Sequence, residues 1–508
     1  MAWQTLRAQG ARLKVTNSLR QRQENWLQDC LQRNQHCAYL QQLGVKADSS
    51  LEDFRQRLPL VDAEMLRPWI QRIEQGEQNG LFEGLPIAFE QTSGTSGGSK
   101  RIPYTAHSLL DFQRALLPWL SDVIAAFKIT SGCAYWAISP ATRAAAKTPS
   151  GISIGLPDAA YLGDAALHAF VEVSAVPPWV GGIKAVPDWS LATLYYLLCR
   201  ADLVLISVWS PTFFLMLLDV LVQQYAVLSD LLRHGGVIAG QILPPDTAAL
   251  QRLECYQLSR DTRILWPNLK LVSCWADASS QPYFHALQQR LPHAQFQPKG
   301  LLATEGVATV PDPQGKTVLA ADSGFFEFLD QQGATHFAWE LQQGKEYELV
   351  MTTSGGLYRY RTGDGVRCDG YADDLPVLRF VGRQGLISDL VGEKLTEPFV
   401  AACLHDLAGF RMLIPTTQGK PRYVLILDQA HDIERIAERV ENRLSENPQY
   451  EYARRIGQLD ALSVLHVEQP LASWMRRKSQ NGIRLGDIKV PCLCAETDWL
   501  STFMEQAT

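Results

Sequence analysis

The sequence predicts an α/β protein with a large layered N-terminal body and a smaller α+β C-terminal domain, and three patterns predict it. Residues 1 to about 80 read as helical. From about 85 to 380, short apolar runs at 269–275, 325–329 and 347–353 alternate with helical segments, as stacked layers of sheet and helix require. Beyond 384, Ile433, Ile436, Ala437, Val440 and Leu444 recur on one helix face between strand-like runs at 423–427 and 462–467. The expected division is 1–383 for the N-terminal domain and 384–508 for the C-terminal one.

Within the first segment, Asp62 opens a stretch in which Leu66, Trp69, Ile70 and Ile73 repeat at helical spacing, with Pro68 expected to bend or start it. Residues 203–208 read as a strand, followed by a helix with Ser210 as N-cap and Pro211 in its first turn. The longest uncharged stretch lies between Asp202 and Asp219 and is broken by Pro211, too short to span a bilayer.

With 46% apolar and 20% charged residues in 508, the chain has the composition of an ordinary globular protein with ample core, and its length suggests about three domains. Its net charge of −6 and lack of a long basic run argue against nucleic acid as a partner, since phosphate backbones need clustered Lys and Arg. Arg476-Arg477-Lys478 reads as a solvated turn. The first 31 residues hold no apolar signal region, and ten scattered cysteines, several inside apolar runs, fit reduced thiols in a cytoplasm. Cys492 and Cys494 have no second pair nearby, and no histidine falls in an H-E-x-x-H arrangement, so no zinc site is expected.

Chemistry concentrates in five stations. The first is residues 91–101, Q-T-S-G-T-S-G-G-S-K-R. Glycines let successive N–H groups line one concave side, hydroxyls add neutral donors, and Lys100 adds a mobile charge, the composition of a phosphate-wrapping loop. A flexible linker has similar composition, but strand-like residues at 87–89 and 102–104 tether this one. It is not the P-loop of NTPases, because Ser99 stands where glycine is required and Arg101 where a magnesium-binding hydroxyl belongs. It is not the dinucleotide loop either, since Ser96 replaces the second glycine.

The second station is A-T-E-G at 303–306, where Thr304 can donate to an α-phosphate and the Glu305 carboxylate can hold magnesium, a cation that prefers oxygen. In the third, 356–364, Tyr358 and Tyr360 are expected on one strand face and Arg359 and Arg361 on the other. Gly363 then turns to present Asp364, whose two oxygens suit two ribose hydroxyls. The fourth, V-G-R at 381–383, puts Arg383 at the domain border. The fifth, G-D-I-K-V-P at 486–491, carries Lys489, able to neutralise charge as pyrophosphate leaves.

The order T-S-G-T-S-G-G-S-K, A-T-E, Y-R-T-G-D, V-G-R, G-D-I-K-V-P resembles that of the adenylate-forming superfamily. F-R-Q-R-L-P-L at 54–60, P-W-I-Q-R-I at 68–73 and K-E-Y-E-L-V-M-T-T at 345–353 narrow the likeness to the acyl-acid amido synthetases named for plant auxin-responsive enzymes, over about residues 50 to 495. The resemblance implies the adenylate-forming fold with a C-terminal lid. It also implies a two-step reaction: ATP and a small carboxylic acid give acyl-AMP and pyrophosphate, then an amine, commonly an amino acid, takes the acyl group and releases AMP. By motif, Ser93, Gly94, Thr95, Ser96, Gly97, Gly98 and Lys100 would line the phosphates. Thr304 would serve the α-phosphate, Glu305 the magnesium, Asp364 and Arg383 the ribose, and Lys489 the adenylation transition state.

Two positions depart from the family pattern. Leu301 stands where relatives place an aromatic on adenine, so Leu301→Tyr is expected to tighten ATP binding. Cys492 follows Pro491 where plant members have arginine. An acid–thiol ligase using coenzyme A or a carrier protein shares the first half-reaction, and a non-catalytic nucleotide-binding scaffold would share the fold. The expected partners are the acid and the amine, with no nucleic acid and no membrane, for a cytoplasmic monomer or dimer.

Overall fold

Four parallel strands anchor the N-terminal body in the computed structural model, which describes residues 1–91, 100–137, 146–156, 158–383, 386–429 and 432–504. Leu203–Ser207 is buried at every position, the continuous apolar run of a strand covered on both faces. It pairs with Cys133–Trp136 on one side and Leu271–Cys274 on the other, and Gln295–Pro298 completes the sheet. Parallel strands end together, so residues following 136, 207, 274 and 298 share one edge, where open α/β sheets take their ligands.

A seven-stranded antiparallel sheet of the described residues lies C-terminal to it. Its order is Thr309–Pro311, Thr317–Leu319, Leu375–Arg383, Tyr360–Ala372, Glu346–Thr352, Phe325–Leu329, Thr335–Phe337. The strand runs expected near 269, 325 and 347 are thus observed to within about two residues. The expected helical N-terminus is observed as well, as Ala2–Arg12, Leu19–Arg33, Ala38–Gln42, Leu51–Arg57 and Ala63–Glu74. The Asp62 side chain caps the last of these, accepting from the Met65 N–H at 3.0 Å, and Pro68 lies inside the helix rather than starting it. Ser210 occupies the N-cap of Pro211–Gln223 as expected, but its hydroxyl bonds Thr212 Oγ1 at 2.6 Å instead of a helix N–H.

The C-terminal segment pairs Arg411–Thr416 antiparallel with Arg422–Leu427, which runs parallel to Ser463–His466. Ile433–Leu444 connects them, with Asp432 accepting from the Arg435 N–H; Ile436, Val440 and Leu444 are buried while Ile433 stays exposed. One buried apolar cluster contains Val272, Tyr283 and Leu287 of the parallel-sheet layer together with Met412, Ile426, Trp474, Ile488 and Val490 of this segment. The two lobes therefore share a core. Among the described residues, no single helix is long and apolar enough to cross a membrane. Pro211–Gln223 and Tyr225–His234 would reach that length only as a pair bent by 75°, and Phe213, Phe214, Leu217 and Leu218 are buried in the core.

The long helix Ala106–Ala126 crosses behind the site and carries Asp111, buried, with Oδ1 accepting from Trp26 Nε1 at 3.1 Å. Burial raises this carboxyl from 3.8 to about 6, against opposing contributions from Ser354, Trp26, Arg114 and Arg33. A carboxyl that holds its proton more tightly folded than unfolded stabilises the fold below both values, and that contribution is lost as pH rises from about 4 to about 6. Asp111→Asn has no such dependence. Its stability relative to the wild type should therefore rise by on the order of 2 kcal/mol between pH 4 and pH 8, read from denaturant midpoints at each pH. A constant difference would contradict this.

Candidate active site

Residues 92–99, with the predicted phosphate contacts Ser93, Gly94, Thr95, Ser96, Gly97 and Gly98, lie outside the described residues. The strands on either side are described: Ala88–Gln91 pairs antiparallel with Arg101–Tyr104, register Gln91 to Arg101, so residues 91 and 101 face each other across the intervening loop. Lys100 stands at its exit.

The remaining stations converge on one cavity of ≈ 260 Å³ at the C-terminal edge of the parallel sheet, whose walls include Thr304, Glu305, Asp364, Arg383 and Lys489. Thr304 and Glu305 form the two-residue turn between Leu302–Ala303 and Gly306–Val307, a tight hairpin whose register pairs Ala303 with Gly306. Tyr104 pins the turn by donating its hydroxyl to the Thr304 carbonyl at 2.5 Å. Burial raises the Glu305 carboxyl, while Arg383 and Lys100 lower it and Asp364 raises it further.

Asp364 differs from expectation. Gly363 does not end a strand; Tyr360–Ala372 runs straight through it. Gly363 takes φ +75°, and the pairing with Glu346–Thr352 slips between Glu348 and Val350, so the glycine builds a bulge. That bulge re-aims Asp364, which pairs in register with Arg383 on the neighbouring strand, Nε to Oδ1 3.8 Å. Burial raises the Asp364 carboxyl, offset by Arg383, Lys489 and Lys100.

The expected alternation of Tyr358, Arg359, Tyr360 and Arg361 also needs correction, because the strand begins only at Tyr360 and Arg359 has φ +49°. Tyr358 is buried and stacks on Tyr39, centroids 5.8 Å apart. Arg361 makes a two-pronged pair with Glu348 at 3.1 and 2.7 Å. Arg359 does likewise with Glu327 at 2.9 Å for both prongs, and donates to the carbonyls of Arg55 and Leu58 at 2.7 Å. Both arginines hold the sheet together and neither lines the cavity.

Leu301 is the third correction. Its side chain is buried with Leu19, Ala308, Leu319 and Phe326 and is absent from the cavity wall. The residue does not face a nucleotide site, so Leu301→Tyr overpacks the core and the expected gain in ATP binding is withdrawn.

Lys489 follows the short turn Leu485–Asp487 and remains solvent-accessible at the cavity, with Nζ 4.8 Å above the Trp275 ring. Its backbone carbonyl accepts from Trp474 Nε1 at 2.9 Å, fixing the main chain while the side chain reaches in. Near it Glu397 starts the helix Glu397–Cys403; burial raises its carboxyl to about 7, opposed by a Cys492 backbone hydrogen bond, Lys489 and Arg383.

Sequence reasoning missed the walls. Trp119, Trp136, Trp209 and Trp275, with Phe112, Tyr161 and Phe170, line the cavity, and Trp209 and Trp275 lie 6.2 Å apart, tilted by 41°. A signal existed: I-S-V-W ending at 209 and V-S-C-W ending at 275 put Ser and Trp at matching positions past two apolar runs. Lys299 and Arg484 also went unnoticed, and Asp487 entered only as a member of the last motif.

As to magnesium, Glu305 and Asp364 are oxygen donors of the right chemistry, although the described residues hold no group of three or more His, Cys, Asp or Glu arranged for a metal. A single carboxylate completed by phosphate oxygens is an ordinary magnesium site, and Glu305 fits that part.

Residues 11–296 match the model of the GH3 family N-terminal domain, 317–383 that of its central domain and 394–498 that of its C-terminal domain. A probable indole-3-acetic acid-amido synthetase of Oryza sativa subsp. japonica is 26% identical over 78% of this chain and 72% of its own length. Jasmonoyl--L-amino acid synthetase JAR4 of Nicotiana attenuata is 24% identical over 74% of this chain and 71% of its own. In structure, GH3.15 acyl acid amido synthetase superposes with a TM-score of 0.82 at 20% identity, covering 96% of this chain and 94% of that one. A 2-hydroxyisobutyryl-CoA ligase shares the fold more loosely, with a TM-score of 0.57 at 14% identity over 96% of this chain and 91% of its own.

Proposed function

The chain belongs to the GH3 family, and from that premise we propose that it is an ATP-dependent acyl-acid amido synthetase. The observation that carries the reading is convergence: Glu305, Asp364, Arg383 and Lys489, from segments far apart in sequence, line one aromatic cavity, with Lys100 close enough to act on both carboxylates.

In the first step an oxygen of the acid attacks the α-phosphorus of ATP. A P–O bond to pyrophosphate breaks, and acyl-AMP remains. Lys100 and Lys489 offset the charge that gathers on the phosphates, Asp364 receives the ribose hydroxyls with Arg383 beside it, and Thr304 donates to the α-phosphate. Magnesium, held by Glu305, would supply further neutralisation of the triphosphate. In the second step an amine nitrogen attacks the acyl carbon, AMP leaves and the nitrogen gives up a proton. We take the amine to be an amino acid. The aromatic walls limit water, which would otherwise hydrolyse the mixed anhydride. The ten free cysteines, most of them buried, suit a reducing cytoplasmic setting as part of the same proposal.

Exchange of labelled pyrophosphate into ATP should depend on an added acid, and AMP release should depend on an added amine and not on coenzyme A. Response to coenzyme A alone would make the chain a thiol ligase. Silence toward a broad panel of aromatic, aliphatic and hydroxylated acids would leave only a nucleotide-binding scaffold.

A further inference from the structure

Lys299 has no place in the scheme above, and its surroundings are unusual for a lysine. It follows the strand Gln295–Pro298 and is only 8% exposed. Its Nζ reaches across the intervening Leu271–Cys274 strand to Ser207 Oγ, 2.6 Å away. The Trp119 and Trp209 rings lie 5.3 and 5.2 Å from the same nitrogen. Among the described residues no carboxylate stands within ion-pair distance of it. One neutral oxygen and two indole faces are thin compensation for an ammonium taken out of water, which has three protons to donate.

The cavity thus has two cationic ends. At one, Lys489 rests on Trp275 and takes part with Arg383 and Lys100 in the charge balance of Asp364, while Arg383 and Lys100 also act on Glu305. At the other, burial lowers the Lys299 ammonium to about 8, and among the described residues Cys274 is the one group that acts against it. The Trp275 and Trp209 rings stand between the two. The ammonium form therefore still predominates near neutrality, and it faces an apolar, ring-lined space that also contains Leu116, Leu120 and Phe170.

We propose that Lys299 is a specificity-determining residue of the acyl site, and that the acid it selects carries a second carboxylate, opposite the one that is activated. The inference rests on the synthetase reading and deepens it. A neutral acceptor on the substrate would be served by another hydroxyl like Ser207. A buried cation that no carboxylate among the described residues reaches is matched instead by an anion that arrives with the ligand, forming the short charge-assisted hydrogen bonds that such pairs make. Flat aromatic walls and the modest volume suit a ring or short chain between the two carboxylates.

The test is acid-dependent pyrophosphate exchange with matched pairs: benzoate against isophthalate and terephthalate, hexanoate against adipate. The wild type should use a dicarboxylate of either series with higher kcat/KM than its monocarboxylate partner. Lys299→Met should lower the dicarboxylate value by on the order of a hundredfold and raise that for the monocarboxylate, inverting the preference, while Lys299→Arg should keep it. Should the methionine variant fail to fold, the wild-type pairs and the arginine variant decide. Monocarboxylates used as well as dicarboxylates by the wild type, or equal losses on both in Lys299→Met, would overturn the role of Lys299 and leave the synthetase reading standing. Exchange with no acid of any class overturns both.

Discussion

Lys489→Ala is expected to lower acid-dependent pyrophosphate exchange by on the order of a hundredfold or more, the usual cost of deleting one preorganised charge that meets a transition state. The loss should appear in kcat rather than in ATP binding, because the charge on the departing pyrophosphate grows only as the P–O bond breaks. The fold should not suffer. The side chain is exposed and touches the Trp275 face, whereas the structural contact of this residue, its carbonyl with Trp474, belongs to the backbone and survives in alanine. A variant that keeps exchange within about threefold of wild type would remove Lys489 from the chemistry. Amide formation from a pre-made acyl-adenylate gives an internal control, since that step does not expel pyrophosphate.

Glu327→Ala should produce the largest loss of stability. Arg359 is 5% exposed and Glu327 1%, and they meet in a parallel two-pronged pair. Truncating the acid strands a guanidinium in the interior, at a cost of about 3–5 kcal/mol, read as a shift in the denaturant midpoint. Replacing both partners, as in Glu327→Leu with Arg359→Met, should recover part of that but not all, because the carbonyls of Arg55 and Leu58 lose the donor that satisfies them. A single variant within about 1 kcal/mol of wild type would show that the pair carries little net stability. Arg359 also adopts φ +49°, a backbone state that costs a non-glycine residue and persists only where surroundings enforce it. Five residues on, the same chain segment delivers Asp364 to the cavity, so loosening of this ion pair should also weaken nucleotide binding.

What could be read from the residues alone was the chemistry that sits in short segments. Thr304-Glu305, Asp364, Arg383 and Lys489 stand out because a turn or strand end bears a reactive group beside glycine, and the cavity contains all five. Lys100 likewise acts on both carboxylates of the site. Strand runs were visible where every residue is apolar, as at Leu203–Ser207. Other features were hidden because they depend on partners remote in sequence. Nothing near Arg359 announces Glu327, so an arginine in a recognisable motif was read as half of an alternating strand. A bulge and a turn both ask for glycine, and only the register with Glu348 and Val350 distinguishes them at Gly363. Leu301 shows the limit of counting from a motif: the spacing was right, yet the side chain points into the neighbouring core. The tryptophan walls required knowing that Cys133–Trp136, Leu203–Ser207 and Leu271–Cys274 lie side by side.

If the C-terminal lobe acts as a lid in the proposed reaction, the apolar cluster that runs from Val272 and Leu287 into Met412, Trp474 and Ile488 would set the character of its hinge. A cover that seats on grease rather than on ion pairs should be nearly indifferent to ionic strength. Its grip comes from water released on contact, so it should weaken in the cold. Low temperature would then leave the activated acid exposed before an amine arrives, and the reaction would leak ATP as futile hydrolysis just when ordinary kinetics would predict that everything slows together.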